Sequence, residues 1–298
     1  MKKQFFLAIS IWILISIHKG YGADTLATHY RIVEVASGEE ISVDTLADRL
    51  AKASVVFFGE EHDDPVAHAL ELAVLKRLYL HWHGAMALSM EMFQTDIQPI
   101  VDEYIDDVIS ERNFIKEARA WKNYGDYRSL LHFVKEHRID FLAANTPDRY
   151  SNLANRKGLP ALDSLSAWAK SFLPPLPIDT LGGAYHEKFF KQMEGAHFIG
   201  MQYVYQAHCL WDANMAWVIA RYLKNHPQRK VLHINGRFHS DDHLGIIQQL
   251  QIRYRPGTKV LSISSVASPA FRSNEEMRAY ARNADFLILT DAGLERTH

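Results

Sequence analysis

Six short stretches of this chain are apolar almost throughout rather than at alternate positions. They are Ala53–Phe58 (ASVVFF), Ala85–Met92 (AMALSMEM), Ile139–Ala144 (IDFLAA), Lys230–Ile234 (KVLHI), Lys259–Ser264 (KVLSIS) and Asp285–Leu289 (DFLIL). A strand with one face in water alternates apolar and polar residues; a strand covered on both faces does not. Helical patterns fall between the stretches. Asp64-Pro65 opens one, with His68, Leu72, Leu75 and Tyr79 on a common face to about His81. Others run over Ile97–Val108, Glu111–Trp121, Tyr127–His137 with Asp126 as its cap, and Leu244–Ile252. The alternation predicts an α/β fold, a mostly parallel central sheet flanked by helices.

The segment from about 146 to 226 departs from this rhythm. Leu159–Trp168 has helical spacing, the prolines and glycines of Leu173–Gly183 (LPPLPIDTLGG) break any period, and His197–Lys224 reads as one long helix. This segment is expected to form a helical lobe against the sheet, within one domain of residues 23–298.

The chain has 298 residues, 48% hydrophobic and 23% charged, which suits a single sizeable core and not a disordered chain. Lys2 and Lys3 precede the apolar run Phe5–Ile17, too short for a comfortable membrane span, and Gly20-Tyr21-Gly22 offers small residues before a cut. Met1–Gly22 is therefore expected to be a cleaved secretory signal and the mature chain periplasmic; an uncleaved anchor is the alternative. No cysteine lies near the cut, so no lipid anchor is expected. Loss of that segment removes three lysines and no acid, which moves the formal charge from −2 to −5. An acidic chain is a poor partner for nucleic acid. Cys209 is the only cysteine, so no internal disulfide forms and stability rests on the core.

In open α/β sheets, ligands sit beyond the carboxyl ends of strands. The first stretch ends in Gly59-Glu60-Glu61-His62, the second carries Glu91, and the Lys230 stretch leads into Asn235-Gly236-Arg237-Phe238-His239. If these strands are neighbours, Glu60, Glu61, His62, Glu91 and His239 meet in one crevice. Glutamate and histidine together suit a divalent transition ion. They also suit acid–base catalysis, in which a carboxylate orients an imidazole. Glu60, His62, Glu91 and His239 are thus the candidate catalytic and metal-ligating set. Structural roles compete: His62, Asp63 and Asp64 as helix caps, and Glu91 in a buried ion pair with Arg237. His239 and His243, spaced i,i+4, either share a helical face as ligands or leave His243 in solvent.

On the long helix Tyr205, His208 and Asp212 share a face that Met201 and Met215 extend. Such a surface holds a flat aromatic ligand or is simply core. Most of Tyr203, Leu210, Trp211 and Trp217 read as core, whereas Gln206 and Asp212 need polar partners if buried. Tyr150, Tyr185, His186 and His197, read as loop residues, are candidate ligands of ferric haem iron. Arg149, Arg156 or Lys157 would meet the propionates. The sequence holds no Cys-x-x-Cys-His, Gly-x-Ser-x-Gly, Walker A or Gly-x-Gly-x-x-Gly motif, which excludes covalent c-type haem.

The ordered set GEEHDD, SMEMFQ, WKNYGDYRSLLHFVK, FLAANTPDR, QAHCLWDANMA and HINGRFHSDDHLGI resembles the ChaN-like proteins, iron-regulated haem-binding proteins of Gram-negative bacteria. These belong to a superfamily with the Tiki/TraB proteins and the erythromycin esterases. The resemblance spans roughly residues 45 to 265. It implies an α/β fold with a helical lobe, haem as ligand, a homodimer with two haems stacked face to face, and a role in haem and iron uptake beside an outer-membrane haem receptor system. Within the superfamily, Gly59, His62 and Glu91 look like a metal-dependent protease or esterase cluster. Two readings result: an exported haem-binding protein, or a metal-dependent hydrolase built on the Glu/His cluster.

Overall fold

A computed structural model describes residues 26–193 and 200–297. The expected leader Met1–Gly22 and the candidate ligand His197 lie outside these residues. Eight strands form one sheet: β1 (Tyr30–Glu34), β2 (Glu39–Glu40), β3 (Val55–Glu60), β4 (Met86–Gln94), β5 (Asp140–Asn145), β6 (Lys230–Gly236), β7 (Val260–Ser268) and β8 (Phe286–Asp291). Their order is β2-β1-β8-β7-β3-β6-β4-β5. All pairings from β8 to β5 are parallel; β1 runs antiparallel to both its neighbours. The expected α/β architecture is the one observed.

The helices are α1 (Val43–Leu50), α2 (Pro65–His81), α3 (Gln98–Ile105), α4 (Glu111–Glu117), α5 (Tyr124–His137), α6 (Asp148–Lys157), α7 (Ala167–Lys170), α8 (Ala184–Gln192), α9 (Met201–Asn225), α10 (Ile246–Gln248) and α11 (Asn274–Tyr280). A π-helical turn, Gln249–Tyr254, continues α10. Neighbouring residues of one strand serve opposite cores, which explains the continuous apolar runs. Val56 and Phe58 of β3 pack with Leu46, Leu70, Val74 and Leu130 from α1, α2 and α5. Val55 and Phe57 pack with Met215, Ile219, Leu223 and Leu250 from α9 and the π turn. Among the described residues no helix is long and apolar enough to cross a membrane.

The chain order positions the site. From β3 the chain passes through α2 and skips a place to form β4, then adds β5. After the lobe, α9 returns it to fill the gap with β6, so β3, β6 and β4 lie side by side. Strand β5 is an edge, and Gln98 covers part of it: its amide donates to the Phe141 carbonyl (2.9 Å) and accepts from the Ala143 N–H (2.8 Å), as a further strand would. In the lobe, α6, a 3-10 turn at Leu159–Ser164 and α7 pack on Ala207, Leu210 and Ala213 of α9. Helix α8 packs on the same helix through Tyr185, Phe189, Tyr205 and Cys209.

Local expectations needed correction at helix ends. Leu159–Trp168 is not one helix, because Ser166 is extended and caps α7 by accepting from the Ala169 N–H. Asp126 does not cap α5; it sits in the first turn of a helix that starts at Tyr124. Helix α4 stops at Glu117 instead of reaching Trp121, and Arg119 follows with a left-handed φ of 52°. Asp64 does cap α2, accepting from Val66 and Ala67 N–H groups.

Gly59 is where β3 meets the turn that follows β6. An added Cβ would lie 2.9 Å from both the Arg237 Cα and the Ser240 Oγ. Because one of these is backbone, Gly59→Ala is expected to lower unfolding free energy by about 1–3 kcal/mol. Urea denaturation measures this; a change within about 0.5 kcal/mol, the size expected for a surface substitution, would contradict it.

Candidate functional site

Because β3, β6 and β4 are adjacent, their carboxyl ends build a crevice of the kind such sheets use for ligands. Glu60 ends β3, Glu91 lies near the end of β4, and Gly236 ends β6 before a 3-10 turn, Arg237–His239. The Gly236 N–H donates to Glu91 Oε2 at 2.7 Å. A Cβ on Gly236 would sit 2.7 Å from His62 Nε2 and 3.6 Å from Glu91 Oε2, so a glycine is required where these two side chains close over the strand end. His239 Nε2 lies 3.5 Å from Glu91 Oε1. The structure therefore brings Glu60, His62, Glu91 and His239 together.

Both imidazoles are held from behind. His62 Nδ1 is 2.8 Å from Glu60 Oε1, and His239 Nδ1 is 2.6 Å from Asp212 Oδ1. Asp212, fully buried on α9, also accepts from the Tyr185 hydroxyl. A carboxylate at Nδ1 fixes the tautomer and leaves Nε2 for chemistry. His62 is the outermost of these groups, its side chain 35% exposed and its ring edge-on to Trp121 at 5.1 Å. His208 stacks on His239 at 4.5 Å.

A second layer lies beneath. Glu60 Oε1 also accepts from the Tyr127 hydroxyl at 2.8 Å. Its Oε2 is 2.9 Å from His68 Nε2, close enough for a hydrogen bond but not aligned for one. Glu71 is buried beside them. Glu60, His68 and Glu71 are the one set of three among the described residues whose metal-donor atoms all lie within 4.8 Å of one another. The wider set expected from the sequence, Glu60, His62, Glu91 and His239, shares only Glu60 with it.

Burial and charge oppose each other throughout. Burial alone would raise Glu60, but the His62 hydrogen bond and the nearby His68 imidazole hold it well below the usual carboxylate range. Burial disfavours the His62 imidazolium, yet Glu60 and the Glu91 charge raise its pKa above the ordinary value. His239 is likewise penalised by burial and raised to about 9 by Glu91 and Asp212. His208, with only imidazole and ammonium charges nearby, is pushed well down by burial.

Several residues singled out from the sequence lie elsewhere. Glu61 and Asp63 pair with Arg296 at 2.7 and 2.5 Å, away from the crevice. Arg237 pairs with Asp241 at 2.9 Å, not with Glu91. His243 bonds Asp285 and has a positive φ, so no helical face joins it to His239. Tyr150 and Tyr185 are on helices α6 and α8, not loops, and both are buried. Arg149 covers the Tyr150 ring at 4.4 Å and pairs with Asp96. His186, half-buried on α8, lies against Phe190 at 4.4 Å and Tyr205 at 5.0 Å. Gln206 finds its partner in the Leu159 N–H at 2.8 Å. The sequence reading gave no role to Glu71, Tyr127 or His68. The one available signal was a histidine on the apolar face of α2.

A family model described as "Haem-binding uptake, Tiki superfamily, ChaN" matches residues 46–250. The chain belongs to this haem-binding ChaN family. The matched span contains every residue of both layers. Among solved structures, one described as cofacial heme binding to ChaN of Campylobacter jejuni is 16% identical and superposes with a TM-score of 0.68, covering 89% of this chain and 98% of that one. At that identity the likeness is one of fold. A Bacillus cereus protein matches with a TM-score of 0.49 at 11% identity, covering 90% and 96% of the two chains. An erythromycin esterase matches with a TM-score of 0.45 at 10% identity, covering 80% and 77%. No curated protein matches the sequence.

The raised His239 gives this ChaN family member a signature in pH. A histidine at its ordinary 6.5 when unfolded and at about 9 when folded stabilises fully below pH 6.5, and that contribution is lost as pH rises through about 9. Unfolding free energy of chelator-treated protein is expected to fall across that window by up to about 3 kcal/mol, and His239→Gln to flatten the fall. A profile identical in the two proteins would contradict the assignment.

Proposed function

We propose that this protein binds haem after export to the periplasm and handles it during iron uptake, as a homodimer that exchanges haem with an outer-membrane receptor system. The observation that carries the reading is membership of a haem-binding family across residues 46–250. Haem brings a ferric iron and a flat apolar face, so it needs a donor atom beside apolar surface. His186 supports this best among the candidates. No hydrogen bond engages its ring among the described residues, and Phe190, Met193 and Met201 lie in the surrounding cluster. The Tyr185 hydroxyl is engaged by Asp212, and the Tyr150 ring is covered by Arg149. With Arg149 held by Asp96, the exposed Arg156 and Lys157 remain of the three cations expected to meet propionates. A haem held on one surface leaves its other face open, and a second copy would cover it.

The test is hemin titration of residues 23–298. A shifted Soret band saturating near one haem per chain, with dimerisation in sedimentation, is expected. His186→Ala should weaken binding by about tenfold or more, the loss of about 1.4 kcal/mol or more of ligand energy. Absence of any Soret shift would contradict the proposal; a loss confined to Tyr150→Phe or Tyr185→Phe would move the ligand to that tyrosine.

One observation favours a second reading, hydrolysis. Two imidazoles, each oriented by a carboxylate, converge on Glu91. There His239 would serve as the acid and His62 as the base for a water. Turnover of ester or peptide substrates that Glu91→Gln abolishes would establish it.

A further inference from the structure

Glu60, His68 and Glu71 form a closed cluster one layer below the crevice. Helix α2 presents His68 and Glu71 three residues apart on one face, against Glu60 at the end of β3. All three are buried, and their donor atoms lie within 4.8 Å of one another. Glu60 spends Oε1 on His62 and Tyr127. Its Oε2, both oxygens of Glu71 and both ring nitrogens of His68 have no hydrogen-bond partner among the described residues. The only ion-pair partners of Glu60 among those residues are histidines, and Glu71 has none. Two buried carboxylates faced only by imidazoles are costly, about several kcal/mol each even after relaxation.

We propose that Glu60 Oε2, His68 Nε2 and a carboxylate oxygen of Glu71 bind a divalent transition-metal ion. A 2+ ion with two carboxylates and a neutral imidazole makes a neutral cluster, which a buried site tolerates. Two oxygens and one nitrogen suit zinc, manganese or ferrous iron. Tyr127 and His62 grip the other oxygen of Glu60 and would fix its orientation. The ion would therefore set the carboxylate that positions His62 in the crevice above. This site shares only Glu60 with the crevice set and holds whether or not the protein binds haem.

The experiment uses the whole mature chain. Elemental analysis after desalting is expected to find close to one divalent ion per chain. Chelation should lower Tm by about 5 °C or more, and added Zn²⁺ or Mn²⁺ should restore it. Glu71→Gln and His68→Gln should reduce the metal content at least tenfold, while Glu91→Gln keeps it. Metal-free wild-type protein whose Tm ignores added ion would overturn the proposal and leave a protonated Glu71 beside Glu60. Metal lost in Glu91→Gln but retained in Glu71→Gln would overturn it in favour of the crevice. If the inner variants fail to fold, X-ray absorption of cobalt-loaded wild-type protein decides: one imidazole supports the inner site, two overturn it.

Discussion

A single buried carboxylate at the end of the central strand organises the site. Glu60 is reached on one oxygen by His62 and Tyr127 and faces His68 with the other. An ionised group this deep is costly unless charge and hydrogen bonds surround it. The surroundings come from the β3–α2 turn and helix α2, which follow Glu60 directly, and from helix α5, more than sixty residues on. The two helices are fixed by their apolar faces, so orienting Glu60 requires the sheet and one helical layer to be complete. His62, which lies in the β3–α2 turn and meets the crevice, is therefore held from the core through Glu60.

The insertion of β6 between β3 and β4 supplies the other half. It carries Gly236 up to His62 and Glu91 and turns His239 back onto Asp212 of α9. The lobe thus reaches the crevice through Asp212, which joins Tyr185 of α8 to His239. The proposed haem surface near His186 and the Glu/His crevice would share this residue contact without being one site.

Much of this is legible in the sequence itself. The apolar runs at Val55, Met86 and Val231 declared a sheet covered on both faces, since no strand exposed to water lacks alternation. Glu60, His62, Glu91 and His239 stand out because acid and imidazole at the ends of apolar strands must meet partners, although helix capping and an Arg237 ion pair compete as explanations. Asp212 stood out as a polar residue on a buried helix face. His68 and Glu71 did not, because a histidine and a glutamate in mid-helix look like ordinary amphipathic spacing until the helix is seen buried on that side. Glu61 and Asp63 misled for the converse reason: the same turn sends them to Arg296, which lies more than two hundred residues away. Strand β1 was missed because its pairing with β8 also joins the two ends of the chain, which no local pattern reports.

Equilibrium urea unfolding of Glu60→Gln at neutral pH tests the central claim most directly. The substitution keeps the shape and removes the charge that His62 and His68 face. If Glu60 is the buried anion that holds these elements together, stability falls by about 3–5 kcal/mol, as when one partner of a buried pair is removed. A variant within about 0.5 kcal/mol of the wild type, as a surface change would be, would show that the site does not depend on it.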